Sequence, residues 1–151
     1  MGLDTYLDLV IGVTVKDLAP NGLKREKFKK TRYDSETGAP FQVDDCRDYI
    51  VLIDGTRIDL DRYSGSNFQE HFKKFDLEVF GTCDNFYNGV VGVKACEGES
   101  CSQSQTMNVA APNPEVIVDL ITKIQGYFIN AGFSQEIANK VKLHAVVDAS
   151  Y

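Results

Sequence analysis

The chain has few of the residues on which catalytic sites are usually built. It contains only two histidines, His71 and His144. A catalytic imidazole needs a nucleophile and an orienting partner, and the sequence indicates neither beside these two histidines. The nucleophile elbow, the phosphate-binding loop, the dinucleotide-binding fingerprint and the zinc-protease helix motif are all missing from the sequence. The sequence therefore predicts a protein that is not an enzyme and that has no catalytic residues, no metal and no cofactor.

Long hydrophobic runs and a positively charged leader are also missing from the sequence. No run reaches the roughly 18 apolar residues that cross a bilayer. The first segment, Met1 to Asp8, has two aspartates and no lysine or arginine, unlike a secretory signal. We therefore expect a cytoplasmic protein that does not associate with membranes.

Length and composition are those of an ordinary globular protein. A chain of 151 residues predicts one domain, 1–151. Hydrophobic residues make up 43% and charged residues 25%, which excludes collagen, coiled-coil and fully disordered chains. The net charge of −6 argues against a protein whose whole surface binds nucleic acid.

Apolar periodicity predicts the secondary structure, because alternation favours strands and a period of 3.6 residues favours helices. The predicted elements are a strand at 5–15, a hairpin of 49–53 and 56–60, a short helix at about 67–75, strands at 76–82 and 86–95, a long helix at about 114–131, and a strand at 141–147. This order predicts an α+β fold with a largely antiparallel sheet and both helices packed on one face. The polar stretch 96–113 is longer than most structured connections and is expected to be a mobile loop.

The apolar run 5–15 predicts a strand that is covered on both faces for part of its length. Phe68, Phe72 and Phe75 form one stripe of the short helix. Asn113 and Pro114 are expected to start the long helix, and Gly132 is expected to stop it.

Two patterns predict which side chains face the core. Asp54-Gly55 predicts a two-residue type I′ turn, because both of its central residues need a positive φ. The residues that this turn would place on the core face are Tyr49, Val51, Ile53, Ile58 and Leu60. In the last strand, His144 is expected to point outward, and the residues expected to point inward are Val141, Leu143, Ala145 and Val147.

Segment 24–32 is unusually basic, with six cations and one acid. Alternation gives it no apolar face, so it is expected to be a solvated strand or loop. Two interpretations remain open. The segment could bind an anionic small ligand or track the phosphates of a nucleic acid while an aromatic ring stacks on a base, or it could be an edge strand that lysines protect from aggregation. The candidate binding residues are Lys24, Arg25, Lys27, Lys29, Lys30, Arg32 and Tyr33.

Aspartates are concentrated a little further along the chain, where Asp44, Asp45 and Asp48 are the candidate binding residues. Their spacing does not match a calcium-binding loop. They can be solvated turns and strand edges, or they can form an acidic surface that imitates phosphates and meets a basic groove on another protein.

The four cysteines allow several interpretations. Cys96 and Cys101 form a close pair, which with Cys46 and Cys83 could hold zinc, although structural zinc sites usually combine two close pairs. A loop disulfide between Cys96 and Cys101 is a second interpretation. We expect reduced thiols, since the sequence shows no export signal.

Three short segments of the chain have a distinctive sequence, namely Met1-Gly2-Leu3-Asp4-Thr5-Tyr6-Leu7, the stretch from Arg32-Tyr33-Asp34 through Thr37-Gly38-Ala39-Pro40-Phe41, and Asp84-Asn85-Phe86-Tyr87-Asn88-Gly89. Together they resemble segments of small uncharacterised proteins of tailed bacteriophages. The phage proteins typically have methionine in place of Thr5, and lysine and tyrosine in place of Ala39 and Phe41. The resemblance implies a phage accessory protein in the cytoplasm of a host bacterium, and it assigns no functional residue.

Two functions are compatible with these observations. The first is a non-enzymatic phage protein that binds and inhibits a host protein of antiviral defence, such as a CRISPR effector or a nucleotide-signalling system. The second is a nucleotide-binding or nucleic-acid-binding protein that uses segment 24–33 to sequester its ligand. A homodimer through an exposed strand edge is also open.

Overall fold

The computed structural model describes residues 4–60, 66–81, 88–102 and 113–150. The strands are β1 (Asp4–Thr14), β2 (Lys24–Tyr33), β3 (Pro40–Val51), β4 (Arg57–Leu60), β5 (Glu78–Phe80), β6 (Val90–Ser102) and β7 (Lys142–Ser150). The helices are α1 (Val15–Leu18), α2 (Ser66–Lys73), α3 (Pro114–Asn130) and α4 (Gln135–Ala138).

The strands form two antiparallel sheets. One has four strands in the order β5-β6-β1-β7, and the other has three in the order β2-β3-β4. The predicted α+β fold with a mostly antiparallel sheet and one long helix is therefore confirmed, and the antiparallel strands divide into two sheets.

The core lies where the helices meet the two sheets. The centre of β1, Val10 to Val13, is fully buried, as predicted for a strand covered on both faces. One face of β1 contributes Ile11 and Val13 to the main core, and the other joins a smaller cluster through Val10. The members that the three-stranded sheet adds to the main core are Ile50, Leu52, Ile58 and Leu60. This contact anchors the three-stranded sheet to the rest of the molecule.

Both ends of α3 match the sequence prediction. The side chain of Asn113 accepts a hydrogen bond of 2.9 Å from the backbone N–H of Glu115, and Pro114 occupies the first helical position. The helix ends before Gly132, whose φ of +98° suits a residue without a β-carbon. Among the described residues, no helix has the length and apolar character needed to pass through a bilayer.

The hairpin at Asp54-Gly55 differs from the prediction by one residue. The backbone N–H of Leu52 donates to the carbonyl of Thr56 at 2.8 Å, so the loop has three residues and Gly55 has a φ of +87°. In the observed register the side chains of β3 are turned to the face opposite the predicted one, whereas Ile58 and Leu60 of β4 are buried in the core as predicted. The prediction that Tyr49, Val51 and Ile53 face the core was wrong, because Val51 and Ile53 are 45% and 73% exposed.

The prediction for the last strand was right for Val141, which is buried in the main core, and wrong about the burial of the residues that follow it. Val146 is buried in the smaller cluster, whereas Leu143, Ala145 and Val147 are exposed. The His144 ring is half-buried on the face of Val146, and its Nε2 lies 3.1 Å from the carbonyl of Gly12. Burial lowers the pKa of His144. Leu143 lies opposite the buried Ile11 and shares its face of the sheet, but it is exposed because β7 is the edge strand.

The polar stretch after residue 95 is not a loop throughout. β6 continues to Ser102 and pairs with the first half of β1, with Cys96 opposite Leu9 and Ser102 opposite Asp4. The prediction of a loop was therefore wrong for 96–102, because pairing with β1 overrides the low strand propensity of this sequence. Residues 103–112 lie outside the described residues.

Candidate interaction surface

All ten candidate binding residues lie on one hairpin, which is called the arm here and comprises β2, β3 and the turn between them. The two strands pair from Lys24 opposite Tyr49 to Tyr33 opposite Pro40. The basic segment is β2, and the acidic residues Asp44, Asp45 and Asp48 belong to β3. The basic and acidic segments, predicted as separate surfaces, are therefore neighbouring strands of a single element.

The outer part of the arm is exposed on both faces. Every residue of β2 is exposed except Phe28, which is half-buried. At the outer end, Tyr33 is 70% exposed and Phe41 is 46% exposed. A two-stranded ribbon that covers no core gains little from the hydrophobic effect and is marginally stable by itself. The base of the arm compensates for this, because Ile50 is part of the main core.

Cations outnumber their acidic partners on the arm. Arg25 Nε lies 2.8 Å from Asp48 Oδ1, and Lys29 Nζ lies 3.0 Å from Asp44 Oδ1. The Lys29–Asp44 pair is exposed on both sides and contributes little to stability. Among the described residues, no carboxylate lies within 4 Å of the cationic groups of Lys24, Lys27, Lys30 and Arg32. These four cations are therefore available to a partner.

One face of the outer arm combines aromatic, aliphatic and cationic side chains. Alternation along the strands puts six residues on this aromatic face, namely Phe28, Lys30, Arg32, Phe41, Val43 and Asp45. Lys30 lies opposite Val43, and Arg32 lies opposite Phe41. Phe41 and Val43 are not among the binding residues predicted from the sequence, because their place on this face depends on the pairing of β2 with β3.

A network of arginines fixes the base of the arm. Arg57 of β4 donates hydrogen bonds of 2.5 Å to both Asp59 and Glu26, which raise the pKa of its guanidinium. The same guanidinium lies 4.0 Å from the ring centroid of Tyr49, a cation–π contact. Arg47 contacts Asp59 at 3.5 Å. These contacts connect the β2 and β3 strands of the arm to β4 at its base.

The turn at the tip of the arm is stabilised by Asp34. Its Oδ1 accepts hydrogen bonds from the backbone N–H groups of Thr37, at 3.0 Å, and Glu36, at 2.8 Å. Both bonds favour the charged carboxylate and lower the pKa of Asp34. Gly38 has a φ of +68°, which a residue with a β-carbon rarely adopts. The tip is therefore a defined turn.

Shortening the arm is expected to leave the fold intact. Lys30 and Val43 are directly opposite each other, so an Asn-Gly turn can join them in place of residues 31–42. Every residue removed is exposed. The free energy of unfolding, measured by urea titration, should change by less than about 1 kcal/mol, since surface changes away from special features have small effects. A loss of about 3 kcal/mol or more would contradict this description of the arm, because losses of that size come from core contacts.

The histidine and cysteine side chains considered as functional groups either contact other parts of the fold or lie far apart. His71 Nε2 lies 2.8 Å from the carbonyl of Ala131, so this histidine connects α2 to the residue after α3. Cys96 and Cys101 lie along one strand, opposite Leu9 and Thr5, and are about 13 Å or more apart, too far for a disulfide. Cys83 lies outside the described residues. Among the residues that are described, no group of three or more histidine, cysteine, aspartate or glutamate side chains could hold a metal ion.

A shallow cleft of about 680 Å³ lies at the base of the arm. The residues that line it are Val15, Lys16, Ala19, Leu23, Arg25 and Asp48, with Pro20 and Gly22 at the turn before β2. Among the described residues that line the cleft, the acidic one is Asp48, which is paired with Arg25. Comparison with protein-family models, with curated proteins and with solved structures finds no match for this chain.

Proposed function

We propose that this is a non-enzymatic phage accessory protein that binds and inhibits a host protein of bacterial antiviral defence, with the arm as its recognition element. The observation that carries the binding function is the exposure of both faces of the outer arm. The phage origin and the host target are supported by the resemblance of three sequence segments to phage proteins, one of which is the tip of the arm.

The length of the arm favours a macromolecule as the partner. The ten residues of β2 span roughly 30 Å at about 3.4 Å per residue. A small ligand would contact only a few of these residues. A partner that follows the whole arm must itself present an extended surface or groove.

The mixture of charges favours a protein over a polyanion. Three aspartates of β3 lie beside the cations of β2, and Asp44 is 85% exposed. Phosphates along a nucleic acid would be repelled by these carboxylates. A protein surface can match both signs of charge and cover the aromatic face, since aromatic side chains and arginine are enriched at interfaces.

Nucleic acid is the second candidate because four cations of β2 have no acidic partner among the described residues. Exposed Tyr33 and Phe41 could stack on bases, as in many single-strand binding sites. Binding of this kind weakens steeply as salt rises, because counterions are released from the phosphates.

The shortened arm provides a matched control for capture from lysates of host bacteria. We expect the full-length protein to retain a host protein that the variant lacking residues 31–42 does not retain. Nuclease treatment of the lysate should leave this capture unchanged. Equal capture by both proteins would refute the role of the arm, and capture that nuclease abolishes would support the second candidate instead.

A further inference from the structure

The exposed edges of the two sheets differ in how they are protected from pairing with another chain. β2 is an edge strand rich in lysine, a composition that opposes pairing between edges. β4 and β5 are edges of four and three residues, too short to form an extended ladder. β7 has nine residues and pairs with β1 on one side. β6 and β3 also run beyond their short partners β5 and β4, and each open stretch has three charged residues in its sequence, whereas β7 has two, Lys142 and Asp148.

One face of β7 exposes apolar side chains. Leu143 is 38% exposed and Val147 is 58% exposed, with exposed Ala145 between them. These residues alternate along the strand and therefore share a face. None of them belongs to the main core or the smaller cluster. An exposed, apolar edge strand of this length is a template for pairing with another strand.

We propose that β7 pairs in antiparallel orientation with β7 of a second copy of this chain, about a two-fold axis at Ala145. In this register Leu143 lies opposite Val147 of the other copy, and Lys142 lies opposite Asp148. Each relation occurs twice in the dimer, as an isologous interface requires. The result is a continuous sheet of eight strands, because each copy contributes its four-stranded sheet.

The sequence of β7 supports a second copy as the partner because the strand is complementary to itself in this register. Opposite charges and apolar pairs that lie directly across an antiparallel ladder stabilise it, and like charges destabilise it. A shift of the axis to His144 places Lys142 opposite Val146, and a shift to Val146 places it opposite Ser150. Both shifts lose the two ion pairs, so the charges select the register centred on Ala145. A two-fold axis perpendicular to the sheet also keeps the helices of both copies on the same side.

Charge reversal at the two ends of β7 tests this dimer. In the Lys142→Asp variant, aspartates lie opposite each other at both ends, and in the Asp148→Lys variant, lysines do. Analytical ultracentrifugation of the full chain should show a dimer for the wild type, twice the chain mass of 16.8 kDa. Each single variant should dimerise roughly tenfold or more weakly, since two attractive pairs become repulsive.

Mixing the two variants separates loss of pairing from loss of folding. An equimolar mixture restores opposite charges at both ends, so we expect heterodimers of wild-type strength. The double variant Lys142→Asp/Asp148→Lys should also dimerise as the wild type does. A monomeric wild type at about 1 mM, or single variants that dimerise as well as the wild type, would overturn the proposal. A mixture that remains monomeric would overturn the register centred on Ala145.

Discussion

Replacing Phe72 with alanine is expected to lower the free energy of unfolding by about 3–5 kcal/mol. Phe72 is fully buried, and its ring lies against three others, with centroids 4.9 Å from Phe68, 5.8 Å from Phe133 and 6.5 Å from Phe128. The truncation loses the hydrophobic transfer free energy of the removed ring and leaves a cavity between α2 and α3. Both effects lower the free energy of unfolding. Urea titration monitored by circular dichroism measures the change.

The same substitution on the arm is the control. Phe41 is 46% exposed and lies outside the core clusters, so Phe41→Ala should change the free energy of unfolding by at most about 0.5 kcal/mol. The two variants lose the same atoms and differ only in burial. Equal losses of stability in both would show that the arm is part of the folded core, contrary to the structure.

Gly12→Ala is expected to destabilise the protein by about 3 kcal/mol or more, because overpacking against backbone forces the strands apart. Gly12 lies opposite Gly92 where β1 pairs with β6. A β-carbon at Gly12 would lie 2.0 Å from the carbonyl oxygen of Val91 and 2.7 Å from the α-carbon of Gly92. Both obstacles are backbone atoms, so no side chain can move aside to make room. The melting temperature should fall by roughly 2–4 °C for each kcal/mol lost.

Gly126→Ala is the matched control for the glycine substitution. Gly126 is an exposed residue within α3, and a β-carbon there would meet no atom within 4 Å. Alanine favours the helix over glycine by about 0.5–1 kcal/mol, so this variant should be slightly more stable than the wild type. A destabilised Gly126→Ala protein together with an unaffected Gly12→Ala protein would contradict the described packing of the sheet.

Local signals in the sequence were enough to predict the elements whose ends depend on neighbouring residues. Asn113, Pro114 and Gly132 mark both ends of α3, because capping acts over a few residues. The continuous apolar run of β1 likewise predicted a strand buried on both faces. The stripe of Phe68, Phe72 and Phe75 predicted α2, with Phe68 and Phe72 fully buried.

Features that depend on distant pairing could not be predicted in this way. The register of the Asp54-Gly55 hairpin depends on whether its loop has two or three residues. Both loops use a glycine with positive φ, so the sequence does not distinguish them. The exposure of Val147 depends on the position of β7 at the sheet edge. The aromatic face of the arm depends on the pairing of Arg32 with Phe41, which no local signal specifies.

The claim that the arm recognises the partner is tested most directly by site-specific photo-crosslinking in host bacteria. A photoreactive amino acid is placed at Tyr33 or Phe41 on the arm, and at Val118 on α3, which is 62% exposed, as the matched surface position. We predict adducts with one host protein from Tyr33 and Phe41, and none from Val118. Adducts from Val118 with none from the two arm positions would contradict the account.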